Sequence, residues 1–436
     1  MSPILIGFLG IVVFMALIAL RIPISFAMAM VGFVGLSILL TGPHAAFDMV
    51  TKDLYGSFSA YNLSVIPMFV WMGFLAYHSG VGTKLYVFAY RMIGHWPGGL
   101  AIATQGACGA FSAICGSNTA TAATMGAIAL PEMRKYNYDP SLATASIASG
   151  GVLGALIPPS VLFLVYAMAT EQSVGELFMA GVFPGILLMI FFMIAIYLVT
   201  HRRPELGPSG PRFTWAERGQ SVLQGLVQVA VVFTFSMGGL FKGWFTPTEA
   251  GAVGAFGVLV VALIGRNLTW KGLVDSLLDT TRTTAMIMLL VATSVIFGRF
   301  MAVSRIPFEM AEWVAQLTWQ PIFVLLLILG LYLLLGMFID AMAMMLLATP
   351  IFYPIAVKML GYDPIWFGVI IVLCAGVGVI TPPVGMNVFI VQGIAKDVPL
   401  EVIFKGVMPF LLAILACIAI LMIFPQIALY LPSLIK

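Results

Sequence analysis

Two glycine-rich segments, each with a double proline, decide how this sequence folds. Residues 150–160 read GGVLGALIPPS, and residues 376–387 read GVGVITPPVGMN. Proline removes a backbone donor and disfavours the α conformation of the residue before it, so each segment interrupts a helix. Both segments lie in apolar surroundings, in a chain of 436 residues that is 61% hydrophobic and only 8% charged. So few charged groups cannot cover a soluble globule of this size, which predicts a membrane protein.

The apolar stretches outside these segments have the length of membrane spans. Residues 4–20, 24–40, 177–199 and 407–423 can each cross a hydrocarbon core of roughly 30 Å as a helix. The chain as a whole predicts an all-α polytopic membrane protein with about 10–12 transmembrane helices. Its surroundings are therefore the lipid bilayer. The formal charge of +3 and the scattered basic residues predict no nucleic-acid partner.

Basic residues give the expected orientation. Residues 201–220 form the most polar stretch and hold five basic or histidine side chains, His201, Arg202, Arg203, Arg212 and Arg218. Two glutamates, Glu205 and Glu217, oppose them. Because positive loops stay in the cytoplasm, this linker is predicted to be cytoplasmic. Arg21, at the end of the first apolar stretch, indicates a cytoplasmic first loop and an N-terminus on the outside.

The two broken segments are copies in an internal repeat with an offset of 224 residues. Five of the ten prolines before residue 190 fall on a proline at this offset, whereas 25 prolines in 436 residues would give fewer than one by chance. The repeats are predicted to be residues 1–200 and 221–436. An odd number of crossings in each would make them inverted, with the binding site where the two halves meet.

A second interruption in each half completes the predicted site. Residues 116–121 read GSNTAT between apolar flanks, and the matching region of the second half contains Asp340. In hydrocarbon, non-helical backbone survives only where it is buried in protein or lines a wet cavity. Free amides at such breaks attract anions, while carbonyl, hydroxyl and amide oxygens suit Na⁺. No lysine or arginine lies beside either break, so a carboxylate substrate would be held by amides, hydroxyls and co-bound cations.

Several short motifs together resemble a known transporter family. They are Gly116-Ser117, Pro131-Glu132-Met133, Tyr138-Asp139-Pro140, Ile157-Pro158-Pro159-Ser160, the AGVFPG of residues 180–185, Gly361-Tyr362-Asp363-Pro364 and Thr381-Pro382-Pro383-Val384-Gly385. This pattern covers essentially the full chain and resembles the large membrane subunit of TRAP (tripartite ATP-independent periplasmic) transporters. The Ser117-Asn118-Thr119 run is similar, more distantly, to the hairpin tips of divalent-anion/sodium symporters.

The resemblance implies a Na⁺-coupled elevator transporter of the bacterial inner membrane that takes up a small organic acid. Its partners would be a periplasmic substrate-binding protein and a small four-helix membrane subunit. The fold would hold two re-entrant helical hairpins and two inverted repeats. Scaffold helices would come mainly from residues 1–94 and 221–319, transport portions from residues 95–190 and 320–415, and a cytoplasmic linker from residues 201–220.

The site residues follow from the matched motifs. Substrate contacts are expected from Ser117, Asn118, Thr119, Pro158, Ser160, Gly385 and Asn387. Na⁺ as coupling ion is expected at Gly116, Ser117, Asp340, Gly376, Gly378, Thr381 and Pro382. The offset of 224 places Asp340 opposite Gly116, so the two tips would differ chemically.

Other interpretations of the same residues remain open. Asp340 could instead reach interfacial water from the end of its apolar stretch, and Asp139 and Asp363 precede prolines as turn or capping residues do. Arg299 fits snorkelling to an interface, or contact with a substrate or partner. A self-sufficient anion symporter without a binding protein shares nearly all these features. An intramembrane enzyme is disfavoured, because the sequence has no HExxH, G-x-S-x-G or nucleotide-binding motif. No catalytic residue is expected.

Overall fold

The computed structural model describes residues 2–20, 22–40, 42–316 and 319–434, so Arg21 lies outside the described residues. Regular structure in these ranges is entirely helical, as the sequence predicted. In chain order the helices are α1 (Pro3–Ala19), α2 (Ile24–Leu39), α3 (Pro43–Phe58), α4 (Val65–His78), α5 (Val81–Ile93), α6 (Gly99–Cys115), α7 (Asn118–Lys135), α8 (Pro140–Leu156), α9 (Val161–Thr170), α10 (Val174–Arg202), α11 (Trp215–Phe241), α12 (Pro247–Ile264), α13 (Trp270–Val303), α14 (Ile306–Gln316), α15 (Pro321–Phe338), α16 (Ala341–Met359), α17 (Pro364–Gly378), α18 (Met386–Ile394), α19 (Leu400–Ile423) and α20 (Gln426–Ser433).

Many of these helices have the dimensions of membrane spans. By length and composition, seven described helices can cross a bilayer, or nine if each bent pair is one span. The bent pairs are α4 with α5, at 65°, and α8 with α9, at 41°. The helices α1, α2, α6 and α17 are apolar but shorter. This confirms a polytopic membrane protein whose spans are partly broken.

Side-chain caps explain where the repeated helices begin. Asp139 precedes Pro140 and accepts hydrogen bonds from the amides of Ser141 (2.9 Å) and Leu142 (3.4 Å) at the start of α8. Asp363 caps α17 in the same way, with Ile365 at 2.8 Å and Trp366 at 2.9 Å. A carboxylate that accepts the free amides of a first turn stabilises a helix start. Both aspartates are therefore capping residues.

The two halves enter the bundle from opposite ends. The start of α8 lies against the linker, because the Asp139 amide donates to the Leu206 carbonyl at 3.0 Å. The start of α17 lies at the other end, where the Tyr166 hydroxyl of α9 donates to the Pro364 carbonyl at 2.7 Å. Since α8 and α17 occupy equivalent places in the repeat, their opposite directions are what an inverted repeat requires.

Two groups of helices form the walls of the site. The first group contains α2 packed along α13, with α4 packed between α12 and α13. The second contains the pairs α6/α7 and α15/α16 together with the broken helices α8/α9 and α17/α18, covered by α10 and α19. In each hairpin pair, two antiparallel helices meet at a short non-helical tip. Both tips point toward the first group.

Candidate functional site

The tip of the first hairpin is a two-residue break between α6 and α7. Gly116 has a φ of +64° and ends α6, and the extended Ser117 starts α7. The Ser117 hydroxyl oxygen caps α7 by accepting from the Ala120 amide at 3.3 Å. A Cβ on Gly116 would meet the carbonyl oxygen of Pro159. Only glycine meets both the dihedral and the steric demand at low cost.

Polar oxygens cluster at this first tip. The hydroxyl oxygens of Ser117 and Thr119 lie 3.1 Å apart, and the Asn118 carbonyl oxygen Oδ1 accepts from the Thr119 amide at 2.9 Å. These three side chains therefore hold one another in place at the start of α7. Their remaining lone pairs and hydroxyl protons are available to a ligand or ion.

The first tip is bonded directly to the first broken helix. The Val161 amide donates to the Gly116 carbonyl at 3.1 Å. Ser160, fully buried, donates its hydroxyl to the Ala155 carbonyl and accepts from the Phe163 amide at 3.4 Å. Ser160 thus joins the end of α8 to the start of α9 across the double proline.

The second tip repeats this geometry with different chemistry. Asp340 caps α16, and its Oδ2 accepts from the Met342 amide at 3.0 Å. The hairpin helices end at Cys115 and Phe338 and restart at Asn118 and Ala341, and both pairs are 223 residues apart. By helix position, Asp340 is therefore the counterpart of Ser117, one residue away from the Gly116 that the sequence offset indicates.

The second tip is bonded to the second broken helix in the same manner. The Val384 amide donates to the Met337 carbonyl at 3.2 Å, and the Asn387 amide donates to the Val379 carbonyl at 2.9 Å. The Thr381 hydroxyl bonds the Val377 carbonyl at 2.5 Å in the last turn of α17. Gly385, with a φ of +51°, then starts α18. Each hairpin tip and its broken helix thus form one hydrogen-bonded unit.

One cavity of about 620 Å³ is lined by both tips. It holds Gly116, Ser117, Asn118 and Thr119 from the first tip and Asp340 to Ala343 from the second. The facing wall comes from the first helix group, with Pro23 and Ser25 at α2, Phe74 of α4, and Thr283, Met286 and Leu290 of α13. Hydroxyls, a carboxylate and two helix starts thus meet in an enclosed space, an arrangement suited to binding a small polar solute with an ion.

Comparison with known proteins identifies the family. Residues 11–427 match the family model described as "Tripartite ATP-independent periplasmic transporter, DctM component". This chain belongs to the DctM family. It is 36% identical to the C4-dicarboxylate TRAP transporter large permease protein DctM of Pseudomonas aeruginosa, with 91% of this chain and 92% of that protein covered. It is 32% identical to the sialic acid TRAP transporter large permease protein SiaM of Vibrio cholerae, with 94% and 95% covered.

The fold has a solved counterpart. The YdaH transporter of Alcanivorax borkumensis, whose crystal structure shows an unusual topology, matches with a TM-score of 0.66 over 99% of both chains. Sequence identity is only 14%, so this likeness concerns the fold alone. The resemblance to TRAP large subunits expected from the sequence is thus confirmed. The relatives are named as transport permeases, and none of these names describes an enzyme.

In this DctM-family permease, the predicted site residues divide into two sets. Those that the structure brings together in the cavity are Gly116, Ser117, Asn118, Thr119 and Asp340. Those outside the cavity lining are Pro158, Ser160, Gly376, Gly378, Thr381, Pro382, Gly385 and Asn387. The second set lies at the breaks behind the tips, where it shapes the backbone that carries the first set.

Asn387 points away from the cavity. Its side chain is fully buried and its Nδ2 donates to the Ala148 carbonyl of α8 at 3.1 Å. A Cβ on Gly151 would lie 2.7 Å from this Nδ2, so the glycine makes room for the amide. Asn387 therefore joins the second broken helix to the first.

The two glycines predicted as Na⁺ ligands serve close packing in α17. A Cβ on Gly378 would meet the backbone of Gly336 in α15, and one on Gly376 would lie 2.5 Å from Cγ1 of Val152. Small residues at such contacts let helices approach closely. Gly378 thus brings the second broken helix against the second hairpin.

The sequence analysis missed the wall that faces the tips. Ser25, Thr283 and Met286 line the cavity but lie in regions expected to be scaffold. For Thr283 a signal existed, because residues 280–284 read TTRTT inside an otherwise apolar helix. Nothing in the sequence distinguishes Ser25 or Met286 from ordinary membrane-helix residues.

Arg299 has an intramolecular partner on α3. Its Nε and Nη2 donate to the two carboxylate oxygens of Asp53, at 2.7 and 2.6 Å. Neither the snorkelling interpretation nor a substrate contact describes this bidentate pair. It holds α3 against α13 outside the cavity.

Proposed function

We propose that this large permease carries a small organic acid across the inner membrane of a bacterium by Na⁺-coupled elevator transport. The family name describes a tripartite periplasmic transporter that works without ATP, and two relatives are named for C4-dicarboxylate and sialic acid. On this proposal a periplasmic binding protein delivers the acid and a small four-helix subunit braces the scaffold. The observation that carries it is the single cavity lined by both hairpin tips and by the facing α2, α4 and α13.

The oxygen-rich tips support Na⁺ as the coupling ion. Ser117, Thr119 and Asp340 present hydroxyl and carboxylate oxygens to one cavity, and Na⁺ is a hard cation that favours such ligands. The break behind each tip fixes its backbone. A bound Na⁺ would neutralise Asp340 and prepare the cavity for an anion. Thr381, Pro382, Gly376 and Gly378 would then act on the ion indirectly, by shaping the second tip.

The bonding pattern supports movement of the hairpins as one body. The bonds from Val161 to Gly116 and from Val384 to Met337 tie each tip to its broken helix. Asn387 then ties the two broken helices together. This body comprises residues 95–190 and 320–415, and it would slide against a scaffold of residues 1–94 and 221–319 with the site at its edge.

Reconstituted uptake tests the coupling. The permease, its small subunit and its binding protein are placed in proteoliposomes, and external Na⁺ is replaced by choline. Uptake is expected to stop without Na⁺, and Ser117→Ala and Asp340→Asn are expected to raise the Na⁺ concentration needed for half-maximal uptake. Thr381→Ala is expected to do so more weakly. Uptake that is indifferent to Na⁺, or equal uptake by the permease without a binding protein, contradicts the proposal and favours another coupling ion or a self-sufficient symporter.

A disulfide tests the movement. An ideal Cβ on Gly106 in α6 lies 3.9 Å from Cβ of Ala89 in α5, within the range of a disulfide. Oxidising Gly106→Cys/Ala89→Cys is expected to stop uptake, because it joins the transport portion to the scaffold. The control, Gly257→Cys/Val232→Cys, joins two scaffold helices whose corresponding distance is 4.0 Å and is expected to leave uptake intact. Full crosslinking of the first pair with undiminished uptake would refute the elevator.

A further inference from the structure

The two tips give the cavity an uneven charge. Ser117, Asn118 and Thr119 present hydroxyl and amide groups at one side, whereas Asp340, Ala341 and Met342 present a carboxylate and apolar groups at the other. Among the described residues that line the cavity, Asp340 is the one with a formal charge, and no lysine or arginine accompanies it. An anion therefore finds neutral donors at one tip only.

The wall between the tips is apolar. Met286 is 50% exposed and Leu289 44% exposed on the cavity side of α13. Phe74 faces them from α4, and Met386 and Ile390 from α18. Apolar surface of this extent is stabilised by covering it with an apolar group, at roughly 25 cal/mol per Å². The cavity thus favours a solute with a substantial hydrocarbon portion.

We propose that the substrate of this permease is a monocarboxylate with an apolar body, and that Asp340 excludes dicarboxylates. This rests on the proposed function, since it assigns the acid that the Na⁺-coupled site accepts. The carboxylate lies at Ser117 to Thr119, where hydroxyls and the amides that start α7 can donate to it. The hydrocarbon portion extends along Met286 and Leu289 toward Met342.

Charge decides against a second carboxylate. In a dicarboxylate long enough to span the cavity, the second carboxylate approaches Asp340 with no basic side chain among the described lining residues to offset it. Two like charges about 8 Å apart at an effective dielectric constant of about 20 repel by more than a factor of ten in affinity. A Na⁺ ion beside Asp340 offsets the charge of Asp340 itself but leaves no donor for the extra carboxylate.

Binding by the intact membrane complex in nanodiscs tests the assignment. The probes are the straight-chain monocarboxylates from propanoate to hexanoate and the dicarboxylates of equal carbon number, all at saturating Na⁺. Affinity is read from the concentration dependence of thermal stabilisation. Monocarboxylate affinity is expected to rise about fourfold for each added methylene. Each dicarboxylate is expected to bind on the order of tenfold more weakly than its matched monocarboxylate.

Three variants separate charge from packing. Asp340→Asn keeps a good helix cap and is expected to remove most of the dicarboxylate deficit. Asp363→Asn is the matched control, because Asp363 caps α17 in the same way outside the cavity, and the deficit should persist. Met286→Ser is expected to reduce the gain per methylene without changing the deficit.

Three results would overturn the assignment. They are dicarboxylates that bind the native protein as tightly as monocarboxylates, affinity that does not rise with chain length, and no stabilisation by any of these acids. Uptake that depends on Na⁺ while dicarboxylates bind best would sink this assignment and leave the proposed function standing. Loss of Na⁺ dependence itself would instead count against the proposed function.

Discussion

Replacing Gly116 by alanine tests whether the first tip is built as described. Gly116 has a φ of +64°, and an added Cβ would meet the Pro159 carbonyl oxygen. The left-handed conformation costs a non-glycine residue about 1–2 kcal/mol. Displacing packed backbone costs about 1–3 kcal/mol more. Gly116→Ala should therefore destabilise the protein by about 2–5 kcal/mol.

Two other glycines supply controls for the two contributions. Gly361 has a φ of +76° with open space around the Cβ position, so Gly361→Ala should cost only the conformational 1–2 kcal/mol or about that. Gly330 lies inside α15 with open space and no positive φ. Gly330→Ala should stabilise by about 0.5–1 kcal/mol, because glycine is a poor helix former.

Equilibrium unfolding in mixed micelles of a mild detergent and dodecyl sulfate, followed by tryptophan fluorescence, measures the three free energies of unfolding. The expected order of stability is Gly330→Ala, native protein, Gly361→Ala and then Gly116→Ala. Uptake should fall only in Gly116→Ala, since a shifted tip disturbs the bond from the Val161 amide to the Gly116 carbonyl. If Gly116→Ala were no less stable than Gly361→Ala, the described contact with Pro159 would be wrong.

Three further substitutions probe the supports of the site with the same unfolding assay. Ser160→Ala should cost about 1 kcal/mol, because Ser160 caps α9 from a buried position, whereas Ser173→Ala at the exposed cap of α10 should cost less; equal costs would contradict the buried role. A double-mutant cycle on Arg299→Ala and Asp53→Ala should give a coupling of about 1 kcal/mol that weakens with salt, since the bidentate pair is partly exposed, and zero coupling would deny the pair. Gly151→Ala should cost about 1–3 kcal/mol through its contact with Asn387, while Gly393→Ala, in open space on α18, should not.

Local chemistry explains why the breaks could be predicted from the sequence. The double prolines at Pro158 and Pro382 disrupt a helix in any context, and Asp139 and Asp363 stand before a proline where a cap belongs. The repeat then predicts that each feature has a partner. The all-helical fold and its broken spans follow from these residues and from hydropathy, without knowledge of distant contacts.

The direction of a side chain depends on neighbours far away in the sequence, and here prediction failed. Asn387 stands beside a break as a binding residue would, yet it donates to the Ala148 carbonyl, 239 residues earlier. The cavity wall at Ser25 and Met286 depends on how α2 and α13 pack opposite the tips. The register at Asp340 differs by one residue, because the helices at the second tip are offset by 223 residues while the prolines are offset by 224.

This one-residue shift has a chemical consequence. An inverted repeat with identical tips would present the same groups to both ends of a bound solute, and it would suit a solute with two equivalent ends. Here the shift puts Asp340 at the helix start that Ser117 occupies in the first half. One tip then offers neutral donors and the other a carboxylate, although the backbone of both is alike. The fold supplies two related positions at one cavity, and the side chains at those positions make the cavity directional, as a solute with one charged end requires.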